Sequence, residues 1–156
     1  MGDEAAGLKD RLAAEMREAL KAGQKVRLSA LRLLSANVHN REVELRRPLT
    51  EEEFREVAAR EVRRRGESIE AYERGGREEL AAREREERDV LSAYLPPQLS
   101  DQEVDALVEE AVAATGATSE REMGKVMGYV MGRAKGKVDG GAVQARVRKR
   151  LASAAN

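Results

Sequence analysis

The chain contains no cysteine and no tryptophan, and its 156 residues include a single histidine, His39. Without cysteine the chain can form no disulfide, no thiolate nucleophile and no zinc–thiolate site. The lack of disulfides fits a reducing compartment, so we expect a cytoplasmic protein. A lone histidine has no partner for metal or nucleophilic work. We therefore place His39 on a helix surface or in packing, and we expect no metal site and no cofactor.

Aromatic residues and prolines are also scarce. Aromatic residues make up 3% of the chain and there are three prolines, so the core must be built from Leu, Val, Ala and Met. Few runs of β-branched residues occur, which argues against an extensive sheet. No uncharged apolar run is long enough to span a membrane, and the acidic start Met1–Glu4 does not resemble a signal peptide. We expect an all-α protein that does not enter a membrane.

Apolar residues recur at intervals of three and four along most of the chain, which predicts about seven amphipathic helices. The segment Leu95-Pro96-Pro97 cannot lie inside a helix and is the clearest boundary. It divides the chain into an N-terminal helical domain, residues 1–95, and a small C-terminal domain of three helices, residues 96–156. Two capping boxes each begin a helix, Thr50 with Glu53 in the first domain and Ser100 with Glu103 in the second.

A pair of glycines, Gly75 and Gly76, interrupts the helical pattern of the N-terminal domain. The helices on either side are expected to fold back on each other as a long hairpin with a lightly packed tip. Residues 82–89, in the second arm, are charged or polar at almost every position. We expect this run to be a solvated face. Glu84 and Glu87 share a side of the helix there, but without a Glu-x-x-His pattern they do not indicate a di-iron site.

Glycines recur every four residues in the C-terminal domain, at Gly124, Gly128, Gly132, Gly136 and Gly140. At least the first three lie on one stripe of a helix, where each costs roughly 1 kcal/mol relative to alanine. Such a stripe suits a close approach to the backbone, either by a neighbouring helix or by a ligand such as a nucleic-acid backbone. Our candidate close-approach positions are Gly124, Gly128, Gly132 and Gly136.

Basic residues dominate the same region. Residues 121–150 carry nine bases against two acids, a net charge of +7, whereas residues 99–120 carry six acids and no base. A basic face is typical of a protein with an anionic partner, although solvated basic faces are also common. One aromatic ring, that of Tyr129, lies among these basic residues and could stack on a nucleobase. Our candidate RNA-binding residues are Lys125, Tyr129, Arg133, Lys135, Lys137, Arg146, Arg148, Lys149 and Arg150.

Together these segments resemble the YqeY-like proteins of the GatB/YqeY superfamily over essentially the whole chain. The motifs that carry the resemblance are Arg27–Arg32, Arg65–Ile69 with Tyr72, Gly75–Leu80, Tyr94–Ser100, Gly116–Thr118, Met123–Gly128 and Lys135–Gly140. The resemblance implies that the C-terminal domain is similar to the tail of the B subunit of the tRNA-dependent amidotransferase, which contacts tRNA. It also implies the label of a carbon–nitrogen ligase with glutamine as amide donor.

The residues themselves argue against independent catalysis. Releasing ammonia from glutamine requires an activated nucleophile, and the chain has neither cysteine nor an amidase-type serine loop. Activation of a carboxylate by ATP would require a phosphate-binding loop, which is also absent. We therefore predict no catalytic residues and an accessory module that binds tRNA or another structured RNA, possible partners being an amidotransferase or an aminoacyl-tRNA synthetase complex. The alternative is a protein-interaction adaptor that uses the glycine stripe or the hairpin.

Overall fold

The computed structural model describes residues 6–154, and this part of the chain is helical with no strand. It contains seven α-helices and a short 3₁₀ helix at Glu120–Glu122. The α-helices are Ala6–Lys21 (α1), Lys25–Leu45 (α2), Glu51–Arg74 (α3), Glu78–Ser92 (α4), Asp101–Thr115 (α5), Met123–Arg133 (α6) and Gly140–Ala154 (α7). The prediction of an all-α protein is confirmed.

The described residues fall into two compact units that divide between Pro96 and Pro97. In the first, called here the N-terminal unit, α2 packs against α1, α3 and α4. Its core is formed by leucines, alanines and valines together with Phe54 and Tyr94, whose rings lie 6.0 Å apart. The short connection after α1 turns at Gly23, which has a φ of +69°, and returns the chain along α1. These contacts make α2 the central helix of the unit.

The longest helix, α3, begins with the expected capping box. The Thr50 side chain accepts a hydrogen bond from the Glu53 backbone N–H, and the Glu53 carboxylate accepts one from the Thr50 N–H. Arg47 adds two hydrogen bonds to the same carboxylate, at 2.7 and 2.8 Å. Arg47 and the Thr50 N–H lower the pKa of Glu53 to about 2. The start of α3 is therefore fixed by local side chains.

Helices α3 and α4 form the predicted hairpin around Gly76, whose φ of +70° suits a glycine. The expectation of a solvated polar run at residues 82–89 is wrong at two positions. Glu87 is buried, Glu84 is mostly buried, and both face Arg65 of α3. The Arg65 Nε atom lies 3.2 Å from Glu87 and 3.5 Å from Glu84. Charged groups therefore lie inside the hairpin. The helical pattern of α4 alone could not show that Arg65 of α3 is their partner.

The second unit, called here the C-terminal unit, consists of α5, α6 and α7 around an aliphatic core. Val126 and Val130 of α6 and Val143, Val147 and Leu151 of α7 are almost completely buried in it. Ser100 and Glu103 form the expected capping box at the start of α5, and Gly116, with a φ of +69°, ends the helix. The Asp139 carboxylate accepts a hydrogen bond from the Ala142 N–H and so caps α7.

Within residues 6–154, no helix combines the length and the apolar character that crossing a bilayer requires.

Candidate nucleic-acid interface

One face of α6 is bare helix backbone. A Cβ atom built at Gly124, Gly128 or Gly132 would meet no heavy atom within 4 Å. The three glycines are exposed. Therefore no helix among the described residues packs on this stripe. The possibility that the glycines accommodate a neighbouring helix of the same unit is excluded for that part of the chain.

The opposite face of α6 fixes the helix in place. Val126 and Val130 are fully buried, and Met123 and Met127 pack against the same core. Because successive residues of an α-helix are separated by 100°, burying this face leaves the glycines on an outer flank. The core therefore determines which side of α6 faces outward.

Tyr129 and Arg133 form a stacked pair one helical turn apart. The Arg133 guanidinium carbon lies 4.4 Å from the centroid of the Tyr129 ring, which is a cation–π contact. Tyr129 is half-buried against the core, whereas Arg133 is exposed. The ring thus supports the guanidinium, and the outer side of its plane is left to solvent. A planar cation held in this way can contact a phosphate or stack on a base.

Lysines 135 and 137 lie on a turn after α6, because α6 ends at Arg133. Gly136 has a φ of +75°, so it serves the turn and does not extend the glycine face of α6. The Lys137 carbonyl accepts a hydrogen bond from the Leu99 N–H, and the Gly136 carbonyl accepts one from the Gln98 amide. Both lysines are exposed. The turn is held at two points while its cations project outward.

Lys125 is exposed near the start of α6, and one carboxylate lies close to it. Glu122 accepts hydrogen bonds from the backbone N–H groups of Thr118 and Ser119. The bond from Thr118 is the main reason that the pKa of Glu122 is lowered, and the charge of Lys125 adds to the effect. Glu122 is therefore engaged in capping the 3₁₀ turn, and it forms no ion pair with Lys125.

Two of the predicted RNA-binding arginines are already paired. Arg146 contacts Asp101 at 3.0 Å and Asp105 at 2.7 Å, and Arg150 forms an ion pair with Glu109. In the free protein both guanidinium groups are therefore engaged by carboxylates, and their contact with RNA stays a prediction. The acids come from α5, which accounts for the position of the acidic run in the sequence.

The remaining predicted cations are available. Lys125, Arg133, Lys135, Lys137, Arg148 and Lys149 are exposed, and within residues 6–154 none of them forms an ion pair. Arg148 lies on the flank of α7 away from the α5 pairs, as a rotation of 100° per residue places it. We call Lys125, Arg133, Lys135 and Lys137, together with the glycine face of α6, the α6 surface.

The part of the chain covered by the structure shows no group of acidic or histidine side chains arranged to hold a metal ion. His39 is exposed on α2 of the N-terminal unit, as the sequence indicated.

What sequence reasoning missed is the pairing between α5 and α7. The available signal was the contrast between an acidic run at 99–120 and the bases of 146–150, both on helices of the same small domain.

Residues 9–151 match the family model described as Yqey-like protein. No curated protein is a significant match to the chain.

Proposed function

The chain belongs to the Yqey-like protein family, and from this membership and the α6 surface we propose that it is an RNA-binding accessory module. The observation that carries the proposal is the combination of a bare helix backbone with unpaired cations beside it. The partner is tRNA or another structured RNA, bound through its phosphate backbone.

The glycine face supports this proposal because no contact within the described residues explains its cost. Each glycine in a helix is destabilising by roughly 0.5–1 kcal/mol relative to alanine. Gly124, Gly128 and Gly132 have no neighbour that a methyl group would touch. An external ligand that approaches the backbone closely would account for the absence of side chains at all three positions.

The charges beside this face suit phosphate. Lys125 and Arg133 flank the glycines on α6, and Lys135 and Lys137 follow on a turn held by hydrogen bonds. Phosphate contacts of this kind position a protein on nucleic acid without reading its sequence. We therefore propose binding that depends strongly on salt and weakly on base sequence.

The module has no catalytic role of its own in this proposal. The resemblance of the C-terminal part to the amidotransferase B-subunit tail suggests that the RNA is presented to another enzyme. An amidotransferase or an aminoacyl-tRNA synthetase complex is the proposed type of partner. Glutamine-dependent amidation by the isolated protein, abolished by a point mutation in it, would contradict this part of the proposal.

The test replaces Lys125, Arg133 and Lys137 with alanine and measures tRNA affinity as a function of salt concentration. We expect weaker binding and a salt slope that becomes shallower by roughly one unit for each lost phosphate contact. A matched control replaces Arg60, Arg63 and Arg74 of α3 with alanine, since these arginines are exposed and lie in the other unit. The control should bind tRNA like the parent.

A second variant tests the bare backbone separately. Gly128→Leu places a side chain on the glycine face without changing the charge, so affinity should fall while the salt slope stays nearly constant. Circular dichroism must show that each variant is still helical. If the triple variant is folded and binds tRNA as well as the parent, the α6 surface is only a solvated face, and the adaptor function becomes the better explanation.

A further inference from the structure

The N-terminal unit has an open groove between α1 and α2 with a volume of about 460 Å³. The Lys9–Glu42 ion pair lies at one end, and Leu20 and Leu28 lie at the other. The two helices therefore run antiparallel along the groove. From Lys9 to Leu20 its length is about 17 Å, or three helical turns at 1.5 Å per residue.

The floor of the groove is apolar. Leu12 and Val38 are buried beneath it and Met16 is half-buried. At the end away from the Lys9–Glu42 pair, Leu20 is 60% exposed, so much of its side chain is accessible to a ligand in the groove. The apolar residues of α1 follow one another at intervals of four, so the groove offers contacts at helical spacing.

The charge on the rim is unbalanced. Among residues 6–154, the one acidic side chain that lines the groove is Glu42, which accepts hydrogen bonds from Lys9 and from the Leu49 N–H. Arg17 of α1 and Arg32 of α2 line the groove from opposite sides, and within residues 6–154 neither has an ion-pair partner. The end that carries the exposed leucine therefore also carries two uncompensated guanidinium groups.

We propose that this groove binds an amphipathic, acidic helix of a partner protein. The apolar side chains of that helix would lie on the floor, and carboxylates near one of its ends would pair with Arg17 and Arg32. Helix-in-groove recognition uses anchors at this spacing, and charge complementarity sets the orientation and speeds the encounter. This binding site is separate from the α6 surface, and it does not depend on RNA binding.

The composition of the groove favours a peptide over the other occupants. RNA offers phosphates but no aliphatic side chains to cover Met16 and Leu20. A second copy of the chain, joined about a twofold axis through the groove, would bring the Arg17 and Arg32 end against the Lys9–Glu42 end, where the Glu42 carboxylate is already paired. An acidic amphipathic helix satisfies both the floor and the rim.

The probes are fluorescent helical peptides of about 15 residues, a length that covers three to four turns. Every peptide carries leucines at a spacing of three and four. One peptide has two glutamates at its N-terminal end, and a second has them at its C-terminal end. Matched peptides have lysine in place of glutamate. Fluorescence anisotropy with the full chain should show binding of at least one glutamate peptide and binding about tenfold weaker for its lysine counterpart.

Two pairs of variants locate the site. Leu20→Asp should abolish peptide binding, whereas Val43→Asp, at an equally exposed residue of α2 that does not line the groove, should not. The double variant Arg17→Glu with Arg32→Glu should reverse the preference toward the lysine peptide. Its control, Arg60→Glu with Arg63→Glu on α3, makes the same change in net charge and should leave the preference unchanged.

Three results would overturn the proposal. The first is equal binding of glutamate and lysine peptides by the parent protein. The second is a dimer of the parent in light scattering that Leu20→Asp converts to a monomer, since the occupant would then be a second copy. The third is a loss of tRNA affinity in the Arg17→Glu, Arg32→Glu variant without any effect on the peptides, which would assign the arginines to RNA.

Discussion

The hairpin of α3 and α4 and the surface of α6 place charged residues in opposite situations. In the hairpin, Arg65 lies between Glu84 and Glu87 with little exposure to solvent. On α6, Lys125 and Arg133 project outward, and Arg133 has a tyrosine ring instead of a carboxylate beneath it. The difference shows that the helical sequence alone does not determine whether a charged side chain stabilises the fold or is exposed for binding. Its role depends on whether the fold supplies a counter-charge.

The energetic consequences also differ. Removing one member of a buried ion pair leaves the other charge without compensation in a poorly solvated site, which is strongly destabilising. Removing an exposed charge changes stability little because water already solvates it. Substitutions in the hairpin should therefore affect folding, and substitutions on α6 should affect binding.

The largest effect should come from Arg65→Met. This change leaves Glu84 without a cation and Glu87 with only the longer contact to the exposed Arg83, at 3.7 Å. Since the side chains keep some exposure, we expect a loss of about 2–3 kcal/mol in the free energy of unfolding. Urea denaturation measures it. Arg63→Met, at an exposed residue of the same helix, is the control and should be nearly neutral. A loss of stability no larger than that of the control would show that solvent already compensates the two glutamates.

Tyr94→Phe tests a second buried polar contact of the N-terminal unit. The fully buried Tyr94 donates a hydrogen bond of 2.6 Å to Glu15, which also contacts Arg11 at 3.0 Å. Removing the hydroxyl should lower stability by about 1–2 kcal/mol at pH 7, because the bond is made to a charged acceptor. The ring stays in place, so packing with Phe54 is kept. Thermal and urea unfolding would measure the loss.

The same variant has a pH signature. Burial raises the pKa of Glu15, but hydrogen bonds from Tyr94 and Arg11 outweigh it, so the folded pKa lies below the ordinary value of 4.5. Glu15 therefore contributes stability above that value, and the contribution is lost as the pH falls through the folded pKa. The stability difference between the parent and Tyr94→Phe should narrow on acidification. A constant difference from neutral to acidic pH would show that the carboxylate is not the group being stabilised.

The helices could be predicted from sequence because their signals are local. Capping boxes at Thr50 and Ser100, and the turn at Gly76, depend on residues within a few positions of one another. The exposed glycine stripe of α6 also follows from its 3.6-residue period once the buried valines are identified.

The pairing of charges could not be predicted in the same way. The helical period gives the side of α4 on which Glu84 and Glu87 lie, but not what packs against that side. Arg65 reaches them only because α3 folds back along α4, and Arg150 reaches Glu109 across 41 positions of sequence. Such pairs depend on tertiary packing, which the charge pattern of a single helix does not contain.

Gly128→Ala sharpens the comparison on the side of α6. A methyl group at this position meets no atom within 4 Å, so helix propensity alone decides the effect on stability. We expect the free energy of unfolding to rise by roughly 0.5–1 kcal/mol. If the glycine face binds RNA, tRNA affinity should fall in the same protein. A stabilised variant with unchanged affinity would mean that the backbone at this position does not contact the RNA.

The smallest effect is expected at the surface of the C-terminal unit, where an ion pair between two helices is partly exposed instead of buried as in the hairpin. Arg150 is paired with Glu109, so the double variant Arg150→Gln with Glu109→Gln removes one cation and one anion and leaves the net charge unchanged. Both side chains are partly exposed, and stability should change little. The affinity for tRNA and its salt slope should match those of the parent, whereas Lys125→Gln alone should lower both. Equal losses in the two proteins would show that Arg150 exchanges its carboxylate for a phosphate on binding, and the α7 arginines would then belong to the RNA-binding surface.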